Sequence, residues 1–235
     1  DQEEAIVALD RDGVRALGLD GGARWHDEEA PVRAPLEVSL AVTSRCGAGC
    51  EGCYLDARAD GKMVERAAIE GALDALARAG VFTVAFGGGE PTLRDDLGEL
   101  ADAARARRLL PIVTTSGLGL GDRKLAQLRR FAQVNVSYDG DAESYAAVRG
   151  FDGAAAAESA IARLAAAGVK VGVNIVLTRA TWARAAETVR RAVSLGATDV
   201  QLLRYKPRGR ARTLDDGTIA PTAAISSLPF APEIA

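Results

Sequence analysis

The sequence predicts an α/β protein built from six βα units around one parallel sheet. Three observations carry that prediction. Six short β-branched or apolar runs recur from Leu36 onward, amphipathic stripes of helical spacing lie between them, and a glycine or proline announces each return toward a strand. With 235 residues, 48% of them hydrophobic, the chain can bury one sizeable core, so a single main domain is expected.

Residues 1–35 come first as an extension. Within it IVALDRDGVRALGLDGG places two short apolar runs around an Asp-Gly turn, the pattern of a small β-hairpin. LEVSLAVT (36–43) reads as the first strand, followed by VFTVAF (81–86), PIVTTS (111–116), AQVNVSYD (132–139), KVGVNIVLT (170–178) and DVQLLRY (199–205). Helical stripes separate them. Met63, Ile69, Leu73 and Leu76 precede the second strand and close on Ala-Gly; Leu97 and Leu100 precede the third, Leu125 and Leu128 the fourth. Ile161 and Leu164 precede the fifth, and Trp182, Val189 and Val193 the sixth. Right-handed crossovers make such units curl in one sense, which leaves an open doubly wound sheet and a complete or partial barrel as the choices. Either arrangement puts the ligand site at the carboxyl ends of the strands.

Charge and hydropathy exclude several partners. The net charge of −3 comes from 29 basic and 32 acidic residues interspersed along the chain, so no field that would gather nucleic acid is expected. No apolar run approaches the ~20 residues of a membrane-spanning helix, and DQEEAIVALDRDG lacks the order of a secretory signal. A cytoplasmic protein is the expectation. The start at Asp1 and the Pro/Ala/Ser-rich tail over 213–235 are what part of a longer natural chain would look like.

The chemistry concentrates in SRCGAGCEGCY (44–54), which contains every cysteine of the chain: Cys46, Cys50 and Cys53. An odd number clustered this tightly in the first βα loop makes no disulfide framework, and soft thiolates select zinc, copper or iron–sulfur clusters. A structural zinc would need a fourth ligand, for which the sole histidine, His26, is the obvious candidate besides carboxylates. In a four-iron cubane, three thiolates leave one iron open. A second glycine-rich turn, GLGLG (117–121), follows the third strand, but the last glycine of a dinucleotide fingerprint would fall on Asp122, so that reading fails.

CxxxCxxC after the first strand, together with Gly88-Gly89-Glu90-Pro91 at the end of the second, resembles the radical S-adenosylmethionine (radical SAM) superfamily. The resemblance runs over roughly 36–210 and implies a partial (β/α)6 TIM-like barrel over 36–212. It further implies a [4Fe–4S] cluster on Cys46, Cys50 and Cys53, with the open iron chelating SAM. Gly88, Gly89, Glu90 and Pro91 would hold the SAM ammonium, and Ser116 keeps a polar group where relatives carry TNG. Ser137 and Asp139 would approach the ribose and carboxylate region, Arg149 the carboxylate, Asn174 the ribose and Leu203 the adenine. In relatives the residue before the third cysteine is commonly aromatic; here it is Gly52, with the aromatic at Tyr54.

The implied activity is reductive cleavage of SAM, with an electron from a flavodoxin or ferredoxin, to a 5′-deoxyadenosyl radical that abstracts hydrogen from substrate. The wording of SYDG, YAAVRGFDG and LLRYKPRGRA is similar to the peptide-maturase branch with its cysteine-bearing SPASM extension, so the expected substrate is a ribosomally made peptide. A small metabolite or cofactor precursor is the alternative, and a zinc-stabilised binding domain a distant one. No cysteine follows Cys53, so one cubane is expected of this chain. The basic run 204–212 is read either as a substrate grip or as a solvated face. For Tyr138, Tyr145 and Tyr205, packing is favoured over radical quenching.

Overall fold

The computed structural model describes residues 34–213. The hairpin expected at 6–22 and the tail from 214 onward lie outside the described residues. Six strands form one parallel sheet in sequence order: β1 (Glu37–Thr43), β2 (Thr83–Gly88), β3 (Leu110–Thr115), β4 (Gln133–Ser137), β5 (Val171–Leu177) and β6 (Asp199–Arg204). That order bears out the partial barrel that the family resemblance implied. A doubly wound sheet reverses its strand order at a switch point, whereas here each strand lies beside its sequence neighbour and the sheet curls one way. Because β1 and β6 are not paired with each other, the barrel is partial.

Helices α1 (Arg66–Ala79), α2 (Leu97–Ala106), α3 (Asp122–Leu128), α4 (Ala142–Arg149), α5 (Ala154–Ala166) and α6 (Ala185–Ser194) fill the crossovers. Three details depart from the sequence expectation. Met63 forms an isolated antiparallel bridge with Thr43 and lies ahead of α1. The β4–β5 crossover contains two helices, because α4 ends at Gly150 in the left-handed region and α5 begins after Gly153. On α6 the inward stripe is Ala185, Thr188, Val189 and Ala192, which leaves Val193 40% exposed. After β6 the described residues end in a 3-10 turn, Gly209–Thr213.

Alternation along the strands gives the sheet two unlike faces. Val84, Phe86, Val113, Val134, Val136, Val173 and Ile175 point one way and pack with Ile69, Leu73, Leu100, Ile161, Leu164 and Val189 of the helices in one continuous core. Each such side chain contributes about 1.5–3 kcal/mol by leaving water. The opposite face is mostly polar or small: Ala85, Thr114, Asn135, Ser137, Gly172 and Asn174 share its register, with Ile112, Val176 and Leu203 its larger apolar members. Parallel strands buried on both sides read as unbroken apolar runs, so a polar inner face marks the lumen rather than a second core.

Candidate functional site

The first loop leaves β1 at Thr43 and returns to α1 through residues 58–65. Its root is stitched to its return: Cys46 N donates to Arg58 O (2.8 Å), Ser44 N to Lys62 O (2.9 Å) and Lys62 N to Ser44 Oγ (2.9 Å). On its other side lies the end of β2. Gly89 N donates to Thr43 O (2.7 Å) and Glu90 N to Arg45 O (2.9 Å). Gly88, at φ +114°, and Gly89 must be glycine because a Cβ on either would stand 2.2 Å from a carbonyl oxygen of Thr43 or Arg45. The sequence reading gave these glycines to a ligand; the space their missing side chains leave is filled by the cysteine loop.

A second clamp comes from the far end of the chain. Arg210, in the turn after β6, donates from Nε (3.1 Å) and Nη2 (3.0 Å) to Cys50 O, and from Nη1 to Ala57 O (2.8 Å) and Asp56 Oδ1 (2.9 Å). Its backbone N–H reaches Cys53 O (3.0 Å). Within the basic run, then, Arg210 braces the loop, while Lys206 lies 5.3 Å over the ring of Tyr54. Charge pattern alone could not separate these roles, since the partners of Arg210 are backbone carbonyls 153 to 160 residues away.

All three thiols are free and partly buried. Burial pushes the Cys46 thiol up, and the nearby negative charges of Glu90, Cys50 and Cys53 add to that against the opposing N–H of Ala48. Cys53 Sγ accepts from Ala57 N at 3.4 Å. Among the described residues no three His, Cys, Asp or Glu converge as ligands of a single ion would. A cubane asks for something else, one thiolate on each of several irons.

Glu90 is buried at 6% exposure and held by five donors. Oε1 accepts from Thr92 N (3.1 Å), Thr92 Oγ1 (2.8 Å) and Thr115 Oγ1 (2.7 Å), while Oε2 accepts from Ser116 N (2.8 Å) and Ser116 Oγ (2.6 Å). Ser116 therefore serves Glu90 directly, and Pro91 starts the 3-10 turn that aims Thr92. Sequence reasoning passed over Thr92 and Thr115; hydroxyls next to Pro91 and Ser116 were the available signal.

Buried Asp139 pairs with the partly buried Arg149, whose Nε donates to Asp139 Oδ2 at 2.6 Å. Burial works against the Arg149 charge, but the Asp139 carboxylate outweighs it and holds the guanidinium above its ordinary value. Asp139 Oδ1 also accepts from Val176 N (2.8 Å), and Glu51 N donates to Arg149 O (3.1 Å), joining α4 to the cysteine loop. Ser137 at the end of β4, Asn174 midway along β5 and Leu203 near the end of β6 lie on the lumen face. Asn174 Oδ1 and Tyr205 Oη are buried without a hydrogen-bond partner. Tyr138 and Tyr145 are each 1% exposed, and the Tyr138 hydroxyl donates to Glu158 (2.8 Å), so the packing reading suits both.

A model of the radical SAM superfamily matches residues 40–192. The chain belongs to the radical SAM superfamily. With membership come an enzyme's role and the family's cofactors, a [4Fe–4S] cluster and SAM. The chain is 33% identical over 188 residues to mycofactocin maturase MftC of Mycobacterium tuberculosis (strain CDC 1551 / Oshkosh), covering 77% of this chain and 48% of the relative. It is 34% identical over 174 residues to the PqqA peptide cyclase of Gluconobacter oxydans (strain 621H), covering 72% and 49%. Streptococcus suis SuiB, in its crystal structure bound to precursor peptide SuiA, superposes with a TM-score of 0.66 at 20% identity, over 75% of this chain and 40% of that one. The chain spans about half the length of the curated relatives it matches.

The residues present fit the family's cofactors. The donor set is three free thiols on a loop braced on two sides, and two buried polar atoms beside the lumen have no partner among the described residues.

Proposed function

We propose that residues 36–212 form the catalytic barrel of a radical SAM peptide maturase. The observation that carries this reading is the loop of Cys46, Cys50 and Cys53, pinned between the Gly88-Gly89-Glu90 strand end and Arg210. Those three thiolates would hold the [4Fe–4S] cluster and leave one iron for SAM. When bound, the pair supplies a 5′-deoxyadenosyl radical, on receipt of an electron from a flavodoxin- or ferredoxin-type donor.

The protein's own part is placement. Glu90, fixed by its five donors, presents a carboxylate for the SAM ammonium, and Arg149, oriented by Asp139, has further N–H groups for a carboxylate. Ser137, Asn174 and Leu203 line the lumen where the nucleoside would lie. Names of the relatives, a maturase and a peptide cyclase, together with a structural neighbour bound to a precursor peptide, support a ribosomally made peptide as substrate. Three unpaired cysteines suit the reducing cytoplasm.

Anaerobic reconstitution tests the reading. We expect a brown protein with about four irons per chain, SAM binding, and deuterium from labelled precursor peptide appearing in 5′-deoxyadenosine. A colourless protein holding one zinc would overturn it.

A further inference from the structure

Tyr205 stands one residue past β6, at the carboxyl end of the sheet, and is 8% exposed. Its hydroxyl is buried and has no partner, unlike that of Tyr138, which donates to Glu158 at 2.8 Å. The ring lies against Gly52, the residue before Cys53. A Cβ on Gly52 would stand 3.0 Å from Tyr205 Oη and 3.1 Å from Cε2, tighter than ordinary van der Waals contact. Glycine at 52 is thus what admits the ring to the cysteine loop. An aromatic group does lie over this loop, delivered from β6 rather than from position 52 itself.

A buried hydroxyl without a partner is costly, and sites that leave one open are completed by a ligand. Only one other described side chain has such an atom, Asn174 Oδ1 on neighbouring β5, and Leu203 puts an apolar wall on the same face of β6 as Asn174's partner Gln201. A flat ring, an aliphatic wall and a hydroxyl that both donates and accepts suit a purine, which is apolar on its faces and hydrogen-bonding along its edge. We infer that Tyr205 is a specificity-determining residue for the adenine of SAM: its hydroxyl bonds the purine edge from a place that Gly52 keeps clear. This rests on the SAM-binding reading under Proposed function.

The test compares reconstituted wild type with Tyr205→Phe by anaerobic equilibrium dialysis, using SAM and its analogue with hypoxanthine in place of adenine, and assaying iron in every sample. Tyr205→Phe should keep the iron content, weaken SAM about three- to tenfold, the size of one hydrogen bond between neutral groups, and shrink the preference for SAM over the analogue. Gly52→Ala should also weaken SAM by displacing the ring, and less so when Tyr205 is already Phe, because no hydroxyl is then carried away from the purine. Unchanged SAM affinity in Tyr205→Phe, equal weakening toward both ligands, or loss of iron would each overturn the assignment, the last by making Tyr205 a packing group of the loop. Wild type that holds four irons yet binds no SAM would instead bring down the cofactor reading itself.

Discussion

Glu90, just past the end of β2, and Asn174, midway along β5, are both buried polar side chains, and the protein treats them oppositely. Five donors from Thr92, Thr115 and Ser116 surround the Glu90 carboxylate, whereas Asn174 Oδ1 meets none. Arg210 belongs with Glu90, since its guanidinium is spent on the cysteine loop; the Tyr205 hydroxyl belongs with Asn174. The contrast separates polar groups whose direction the fold fixes in advance from polar groups it leaves without a partner among the described residues. A group held by several donors keeps its geometry before anything binds, and an open one is relieved only when something does.

Mutations that sharpen this contrast can be ordered by their expected effect. Arg210→Ala removes bonds to Cys50 O and Ala57 O and leaves those carbonyls short of partners, so we expect about 3 kcal/mol of destabilisation and poor retention of iron. Denaturant unfolding and iron content check both parts. Glu90→Gln comes next: its amide would turn N–H groups toward hydroxyls and an N–H that already donate. About 1–3 kcal/mol of stability and much of the SAM affinity should go while the cluster stays. If stability is untouched, the five-donor arrangement does not hold Glu90 as described.

Asp141→Ala is smaller. Asp141 caps α4 by accepting from Ser144 N at 2.9 Å, and losing that cap should cost about 1 kcal/mol. The Ser144 N–H holds the Asp141 carboxyl below its usual range, so its contribution is present above the unfolded value and fades as pH falls through the lower folded value. Wild type should therefore lose its advantage over Asp141→Ala in acid; a difference constant down to pH 2 would exclude the cap. Asn174→Leu has the least effect on stability. With no bond to break, unfolding should be neutral or up to about 1 kcal/mol more favourable to the fold, while SAM affinity drops. Clear destabilisation of the cofactor-free protein would erase the distinction between the two kinds of site.

Both kinds were partly legible in the chain. Cys46, Cys50, Cys53 and Glu90 stand out because thiolate number and a glycine-flanked carboxylate are visible within a few residues. Thr115 and Arg210 were not, since a hydroxyl at a strand end and one arginine among five basic residues look alike until their partners are known. The second helix of the β4–β5 crossover escaped for a related reason: Tyr145 and Val148 of α4 form too short a stripe to be heard beside α5.

By itself the sequence determined the parallel α/β class, the crossovers and the place where soft-metal chemistry is possible. Those depend on side-chain periodicity and ligand type, which act over one or two turns of chain. The partial barrel that the family motifs implied is borne out by the consecutive strand order, and tertiary structure alone decided that Gly88 and Gly89 make room for the cysteine loop and that Tyr205 reaches Gly52. These follow from strand register and the curl of the sheet, which bring residues 153 to 160 positions apart to within hydrogen-bonding distance, and no local pattern encodes a distance of that kind.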